Sequence, residues 1–241
     1  SRGLGDLYKR QDYGFVVLQE NQILQATLEA KAAYERHANS FNVQIRAYHA
    51  DNGRFADEGF HQAVNLHNQQ LKFCGVGARH QNGIAERRIR TLTESARTLL
   101  AHTIHKWPPS LAQSCVSATL WLFALKYTND KYNNFTFDKN GYSPLMKFSR
   151  VYQDILPTTT EHTFGCPAFV LHSSLQTGNK IPKWDNRIRV GIYIGKSLFY
   201  SSSIGLTLNL KTGHVSLQYH AIYDDDLSTV SELATGNEPS N

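Results

Sequence analysis

The chain has 241 residues, enough for one large domain or for a core of about 150 residues with a smaller module. Its composition is globular, and the net charge of +5 fits an anionic partner such as nucleic acid and an ordinary basic protein about equally well. The three cysteines, Cys74, Cys115 and Cys166, are far apart and odd in number, which argues against a disulfide framework or a structural zinc site. No run of about 18 apolar residues occurs, and no apolar segment follows the basic residues near the start, so we predict neither a membrane span nor a signal peptide. We predict a nuclear or cytoplasmic location.

The first part of the chain alternates between strand and helix patterns. Three segments have the composition of strands: 14–19, 44–49 and 71–74. Two segments have the periodicity of amphipathic helices: 21–40 and 57–68. This order is typical of an α/β domain with helices on both faces of a mixed sheet.

A strong helical period begins at Gly83. Apolar residues then recur every three or four positions, namely Ala85, Ile89, Leu92, Ala96 and Leu99. The pattern predicts a helix of roughly five turns to about Ala101, with its apolar stripe on the core. A second helix is predicted at 110–127, followed by an asparagine-rich loop at 129–142 and one helical turn at 143–148.

The last third of the chain is rich in strand patterns between residues 164 and 223. Lys211-Thr212-Gly213 is a hairpin turn signal between two of these strands. We predict four regions: an irregular segment at 1–13, a core domain at 14–150, a β-rich module at 164–230 and a disordered tail at 231–241.

Two carboxylates stand where a strand ends and where a helix begins. Asp51 directly follows the predicted strand at 44–49, and Glu86 lies in the first turn of the helix from Gly83. Taken singly, Asp51 before Asn-Gly is typical of a plain turn, and Glu86 of a helix start whose charge suits the dipole. Together they indicate a divalent-metal site for phosphoryl transfer, because Mg²⁺ is held by a few carboxylates and substrate phosphate.

Basic and polar residues surround Glu86 in the sequence. Such residues bind phosphates without sequence preference. We predict nucleic-acid contacts from eight of them: Arg79, His80, Gln81, Asn82, Arg87, Arg88, Arg90 and Arg97. The alternative for the arginines is a solvated helix face, in which Arg90 pairs with Glu86 four residues earlier.

Two stretches carry a resemblance to a known family. The first consists of Asp51-Asn52-Gly53-Arg54-Phe55 and His80-Gln81-Asn82-Gly83-Ile84-Ala85-Glu86-Arg87. It closely resembles the integrase catalytic core of copia-type long-terminal-repeat retrotransposons. The second consists of Gly191-Ile192-Tyr193-Ile194-Gly195 and Leu208-Asn209-Leu210-Lys211-Thr212-Gly213, and it resembles the segment that follows this core in their polyproteins.

The resemblance implies an RNase H-like fold, a mixed sheet flanked by helices, with a small β-rich appendage after it. It also implies an Asp-Asp-Glu triad that binds two Mg²⁺ or Mn²⁺ ions, in which Asp51 is the second Asp and Glu86 the Glu. The implied activity is 3′-end processing of retroelement DNA and strand transfer into target DNA, with a homo-oligomer left open.

The first aspartate of the triad is where the chain departs from the family. The strand that should carry it is missing, so the resemblance implies an amino-terminally truncated integrase. Asp6 is the better candidate for the first aspartate, and Asp12 is the alternative. Two other functions therefore stay open: a non-catalytic nucleic-acid-binding fragment of a retrotransposon polyprotein, and an RNase H-type nuclease.

Overall fold

A computed structural model describes residues 13–17, 23–50, 54–73, 75, 83–108, 117–152, 161–197, 200–201 and 203–234. The α-helices in these ranges are α1 (Leu24–Ser40), α2 (Glu58–Leu66), α3 (Gly83–Lys106), α4 (Trp121–Phe135), α5 (Pro144–Ser149), α6 (Ser173–Gln176) and α7 (Val230–Ala234). The strands are β1 (Ala47–Ala50), β2 (Gln70–Phe73), β3 (Pro167–Leu171), β4 (Ile188–Lys196), β5 (Gly205–Asn209), β6 (Val215–Gln218) and β7 (Ala221–Tyr223). The protein is mixed α/β. Within the described ranges, no helix combines the length and the apolar character needed to cross a membrane.

The chain divides into two compact units. Unit 1 comprises residues 1–92 and 129–154, and unit 2 comprises residues 93–128 and 155–241. Both α3 and α4 contribute residues to each unit. The domain boundaries predicted from the sequence, at 14–150 and 164–230, stay a prediction.

Unit 1 contains a parallel strand pair with a helix between the strands in the chain. β1 and β2 are paired along their whole length, and α2 is part of the crossover that parallel strands need. Asp57 caps α2, because its carboxylate accepts a hydrogen bond from the backbone N–H of Gly59 at 2.8 Å. The elements predicted at 44–49, 57–68 and 71–74 are therefore confirmed, with ends displaced by no more than three residues.

An aromatic cluster fixes α1 within unit 1. Tyr34 and His37 of α1 contact the ring of Phe148 on α5. Tyr13 stacks on Phe148 with ring centroids 4.3 Å apart, and its hydroxyl lies 2.6 Å from His37 Nε2. Aromatic pairs contribute about 0.5–1.5 kcal/mol each beyond the area they bury. The helix predicted at 21–40 is confirmed as α1.

The strand predicted at 14–19 is wrong for its described part, residues 14–17, which have no regular structure. The backbone N–H of Gly14 donates to Asn133 Oδ1 at 2.9 Å. Its carbonyl accepts from the side-chain amides of Asn129 and Asn133 at 3.0 and 2.7 Å. Side chains of a helix thus satisfy the backbone groups that a neighbouring strand would otherwise pair.

The same asparagines explain why the predicted loop at 129–142 is wrong in its first half. α4 continues through Phe135, whereas the sequence predicts a helix at 110–127, of which residues 110–116 lie outside the described ranges. Asparagine disfavours helix interiors because its side chain competes for backbone hydrogen bonds. Here Asn129 and Asn133 are 5% and 3% exposed, and their amides bind another segment instead.

A half-buried carboxylate links α1 to β1 and to the residue before β2. Glu35 Oε1 accepts hydrogen bonds from Lys31 Nζ at 2.9 Å, from the Tyr48 hydroxyl at 2.8 Å and from Gln69 Nε2 at 2.5 Å. Tyr48 lies on β1 and Gln69 directly precedes β2. Burial by itself would raise the pKa of Glu35, but the hydrogen bonds from Gln69, Lys31 and Tyr48 hold that pKa below its ordinary value.

Unit 2 is built on a five-stranded antiparallel sheet with the order β6-β5-β4-β3-β7. The β-rich region predicted at 164–223 is therefore confirmed. The turn at Lys211-Thr212-Gly213 is confirmed as well, because Gly213 has φ +69° and its N–H donates to Asn209 O at 2.8 Å. The mixed RNase H-like sheet expected in the first part of the chain stays a prediction, since only the pair β1–β2 represents it among the described residues.

The core of unit 2 packs against this sheet. Leu100 of α3 belongs to one buried cluster with Ile192 of β4. Trp107 is 2% exposed, and its Nε1–H donates to the carbonyl of Gly165 at 2.7 Å. Gly165 has φ +86°, and a Cβ there would lie 2.2 Å from Thr103 Oγ1. Only glycine fits this approach between α3 and the loop before β3.

Asp224, the residue directly after β7, holds the segment that leads into α7. Asp224 Oδ2 accepts hydrogen bonds from the backbone N–H and the hydroxyl of Thr229, both at 2.7 Å. α7 follows, and its residues Val230 and Leu233 are 3% and 7% exposed. The prediction of a disordered tail from residue 231 is therefore wrong up to residue 234, because the helix buries two apolar side chains. Residues 235–241 lie outside the described ranges.

Candidate functional site

The helix that carries Glu86 is confirmed, and it is longer than predicted. α3 has 24 residues and extends to Lys106. Its predicted apolar stripe is buried at Leu92 and Ala96, which are 4% and 5% exposed, but Ile89 is 65% exposed. Apolar periodicity identifies the face of a helix but not which of its turns have a neighbour.

Glu86 occupies the first turn of α3 and is exposed. A negative charge at this position interacts favourably with the positive end of the helix dipole. Among the described residues, no basic side chain forms an ion pair with this carboxylate, and the predicted pairing with Arg90 is not formed. The carboxylate is therefore not neutralised by a described neighbour.

The other predicted metal ligands lie outside the described residues. In sequence, Asp51 directly follows the last residue of β1, and Asp6 and its alternative Asp12 precede Tyr13. Within the described part of the chain, no group of three His, Cys, Asp or Glu side chains could hold a metal ion. The triad stays a prediction.

The three arginines that follow Glu86 have two different environments. Arg87 and Arg90 are exposed, whereas Arg88 is half-buried. The guanidinium carbon of Arg88 lies 3.5 Å from the ring centroid of Tyr132 on α4, a cation–π geometry. Successive helical residues are rotated by about 100°, so Arg88 faces another side of α3 than Arg87 does. Arg88 therefore has a packing partner within unit 1, while Arg87 and Arg90 face solvent.

The remaining predicted nucleic-acid contacts are only partly placed. Arg97, on the part of α3 that belongs to unit 2, is exposed. The loop residues lie outside the described ranges: Arg79, His80, Gln81 and Asn82. None of the predicted contacts is tested by a bound ligand, so they stay predictions.

One exposed aromatic residue was not singled out by the sequence patterns. Trp184 lies between α6 and β4 and is 89% exposed. In the sequence, Trp184 follows Pro182 and Lys183 in a polar stretch. Such a stretch is typical of an exposed turn rather than of a strand or helix, and this pattern could have indicated that the tryptophan is exposed.

Comparison with known proteins gives one distant relative. The chain is 23% identical over 236 residues to the "Retrovirus-related Pol polyprotein from transposon RE1" of Arabidopsis thaliana. The match covers 95% of this chain but only 14% of that polyprotein. The chain is thus a weak homologue of a segment of a retrotransposon Pol polyprotein. No protein-family model matches the chain.

A solved structure is also similar, at a low level. It is a chain of the cryo-EM structure of the simian T-cell lymphotropic virus intasome in complex with PP2A regulatory subunit B56 gamma. The TM-score is 0.38 at 13% identity, and the match covers 86% of this chain and 66% of that chain.

Proposed function

We propose that the chain is the integrase segment of a copia-type retrotransposon polyprotein, which processes 3′ ends of element DNA and joins them to target DNA. The observation that carries the proposal is Glu86, an exposed carboxylate in the first turn of a long helix that no described basic side chain neutralises. It lies in the stretch that resembles the integrase core. The weak homology to a Pol polyprotein over 95% of the chain supports the same context.

Glu86 would act with Asp51 and Asp6 as a set of carboxylate ligands for Mg²⁺ or Mn²⁺. Carboxylate oxygens are the donors that these cations prefer, and an exposed carboxylate leaves room for a phosphate beside it. The bound ions would supply activation of an attacking hydroxyl and stabilisation of the leaving oxygen. Glu86 itself would hold its ligand position from a helix turn, which is a more rigid support than a loop.

The exposed arginines of α3 would position the DNA backbone. Arg87 and Arg90 lie one turn of helix apart, close to the proposed metal ligand in sequence, and both face solvent. The logarithm of the binding constant falls linearly with the logarithm of the salt concentration, and each phosphate contact contributes about 0.9 to the steepness of that fall. Replacing both arginines should therefore reduce the salt slope of duplex binding by about two.

A strand-transfer assay tests the catalytic role. Labelled element ends, target DNA and Mg²⁺ or Mn²⁺ are incubated with the wild type, with Glu86→Gln and with Glu94→Gln. Glu94 is the matched control, because it is also an exposed glutamate of α3. We expect joined product from the wild type and from Glu94→Gln, and none from Glu86→Gln, because the amide replaces an anionic metal ligand with a neutral one.

Equal product from Glu86→Gln and the wild type would refute the proposal. Salt-sensitive DNA binding by a wild type that joins nothing would reduce the function to a nucleic-acid-binding segment. Cleavage of an RNA–DNA hybrid without joining of DNA ends would replace it with an RNase H-type nuclease.

A further inference from the structure

Trp184 is displayed at the tip of a short turn in unit 2. At 89% it has the largest exposed fraction among the described large hydrophobic side chains. The N–H of Asp185 donates to the carbonyl of Pro182 at 3.1 Å, which places Lys183 and Trp184 at the two central positions of the turn. The indole is therefore presented to solvent by a closed turn next to the sheet.

The base of this loop is attached to the sheet. The backbone N–H of His172, at the end of β3, donates to the carbonyl of Arg187 at 2.7 Å. Arg187 directly precedes β4 in the chain. The segment 178–187 (the tryptophan loop) is therefore attached at its C-terminal end to the residue that follows β3.

The tryptophan loop carries a local excess of positive charge. Its three basic side chains, Lys180, Lys183 and Arg187, are exposed, and Asp185 is its one acidic residue, which gives a net charge of +2. Lys183 Nζ lies 5.2 Å from the centroid of the Trp184 ring, within cation–π range. One face of the indole is thus near a cation, and the high exposure of Trp184 leaves ring surface open to a ligand.

An exposed indole among basic side chains fits a partner that has a flat aromatic ring and a negative charge close to that ring. An unpaired nucleotide has this combination, because its base offers a π-face and its phosphate an anion. A base within a duplex does not, since its faces are already stacked. An acidic peptide would match the charge but offers no flat ring surface for the indole.

We propose that the tryptophan loop binds single-stranded nucleic acid, with a base stacked on Trp184 and the flanking phosphates on Lys180 and Arg187. This proposal rests on the proposed function only in taking nucleic acid as the class of partner. It concerns unit 2 alone and needs no chemistry at Glu86.

Binding of the full chain to a labelled single-stranded oligonucleotide and to a duplex of equal length tests the proposal by fluorescence anisotropy. Trp184→Leu should weaken single-strand binding about 5- to 150-fold, the range for one base–aromatic stack, and change duplex binding far less. Trp184→Phe should lose less, because the smaller ring still stacks. Trp121→Leu is the matched control, since Trp121 is another tryptophan of unit 2 and is 50% exposed.

A second readout does not depend on affinity alone. Saturating single-stranded oligonucleotide should quench tryptophan emission in the wild type and in Trp121→Leu, but much less in Trp184→Phe. Far-UV circular dichroism should be the same for Trp184→Leu, Trp184→Phe and the wild type, because the Trp184 side chain is 89% exposed.

Unchanged single-strand affinity of Trp184→Leu would overturn the proposal. Equal losses of single-strand affinity in Trp184→Leu and Trp184→Phe would overturn stacking on the ring. So would a loss of duplex affinity as large as the loss of single-strand affinity. Weakened self-association of Trp184→Leu in sedimentation, with unchanged oligonucleotide affinity, would assign the indole to a second copy of the chain and also overturn it. A wild type that joins no DNA ends but still binds the single strand through Trp184 would refute the strand-transfer proposal alone, so that failure of that proposal and failure of this one are separate results.

Discussion

Removal of the Arg88 side chain should loosen the first turns of α3, whereas removal of its neighbour Arg87 should not. Both residues are arginines of the same helix, but Arg87 is exposed and Arg88 is half-buried with its guanidinium carbon 3.5 Å from the Tyr132 ring centroid. The pair joins α3 to α4 within unit 1. The comparison of Arg88→Ala with Arg87→Ala therefore isolates the effect of that packing from the effect of charge.

The geometry sets the size of the expected effect. A cation–π contact contributes about 0.5–1 kcal/mol at an exposed site and about 2 kcal/mol when desolvated, so a half-buried pair should give about 1–1.5 kcal/mol. The aliphatic stem of an arginine adds packing that alanine also removes. We expect Arg88→Ala to lower the free energy of local opening by about 1.5–2.5 kcal/mol, and Arg87→Ala by no more than about 0.5 kcal/mol.

Hydrogen–deuterium exchange with mass spectrometry is the suitable assay, because it reports on each segment of a chain that has two units. Peptides from residues 83–92 should exchange about 10- to 60-fold faster in Arg88→Ala, since about 1.4 kcal/mol corresponds to a factor of ten. Both Arg88 and Tyr132 have further interactions, so a double-mutant cycle with Tyr132→Leu is needed to isolate the pair. A coupling energy below about 0.3 kcal/mol, or equal exchange in the two arginine variants, would refute this reasoning.

Two further predictions concern stability. Gly165→Ala should lower the free energy of unfolding of unit 2 by about 2–5 kcal/mol, because φ is +86° and the new Cβ would lie 2.2 Å from Thr103 Oγ1. Urea unfolding followed by tryptophan fluorescence measures this loss. The control is Gly213→Ala, at a position with φ +69° and open space around the new Cβ, which should lower the free energy of unfolding by only about 1–2 kcal/mol. Glu35→Gln should cost about 3 kcal/mol at neutral pH, because it leaves Lys31, whose side chain is 5% exposed, without its carboxylate. The pKa of Glu35 is lowered in the folded state, so the stability it contributes is present above its unfolded pKa and is lost as pH falls through the folded pKa. Thermal unfolding by circular dichroism should therefore show the difference in stability from wild type narrowing as the pH falls below the ordinary pKa of a glutamate. A difference that stays constant with pH would contradict the assignment.

Local signals in the sequence predicted the elements whose ends are fixed by their own residues. Asp57 caps α2 through the N–H of Gly59, two residues away, so the start of that helix can be read without knowing its neighbours. Ser143 caps α5 in the same way through Met146, ahead of Pro144 at the first helical position. Gly213 supplies the positive φ of its hairpin turn.

Features fixed by distant partners could not be predicted. The segment at 14–17 has the composition of a strand, but Gly14 is satisfied by Asn129 and Asn133, more than a hundred residues later. Periodicity likewise gives no reason to separate Arg88 from Arg87, because the difference lies in Tyr132 on another helix. For the candidate site, the sequence predicted that Glu86 lies in the first turn of a helix, and the structure places it there with its side chain exposed.

The pairing of β1 with β2 depends on side-chain contacts as well as on the strands themselves. Two strands of four residues are marginal without further support. The support comes from Glu35, which binds the Tyr48 hydroxyl on β1 and the Gln69 amide before β2, while Gln69 also donates to the carbonyl of Ile45 at 2.9 Å. Asp51 follows β1 directly in sequence, so under the proposed function a catalytic role for Asp51 would depend on Glu35, a carboxylate of α1 that holds β1 in place. Strand transfer should therefore be sensitive to Glu35, whereas single-strand binding at Trp184, in the other unit, should not.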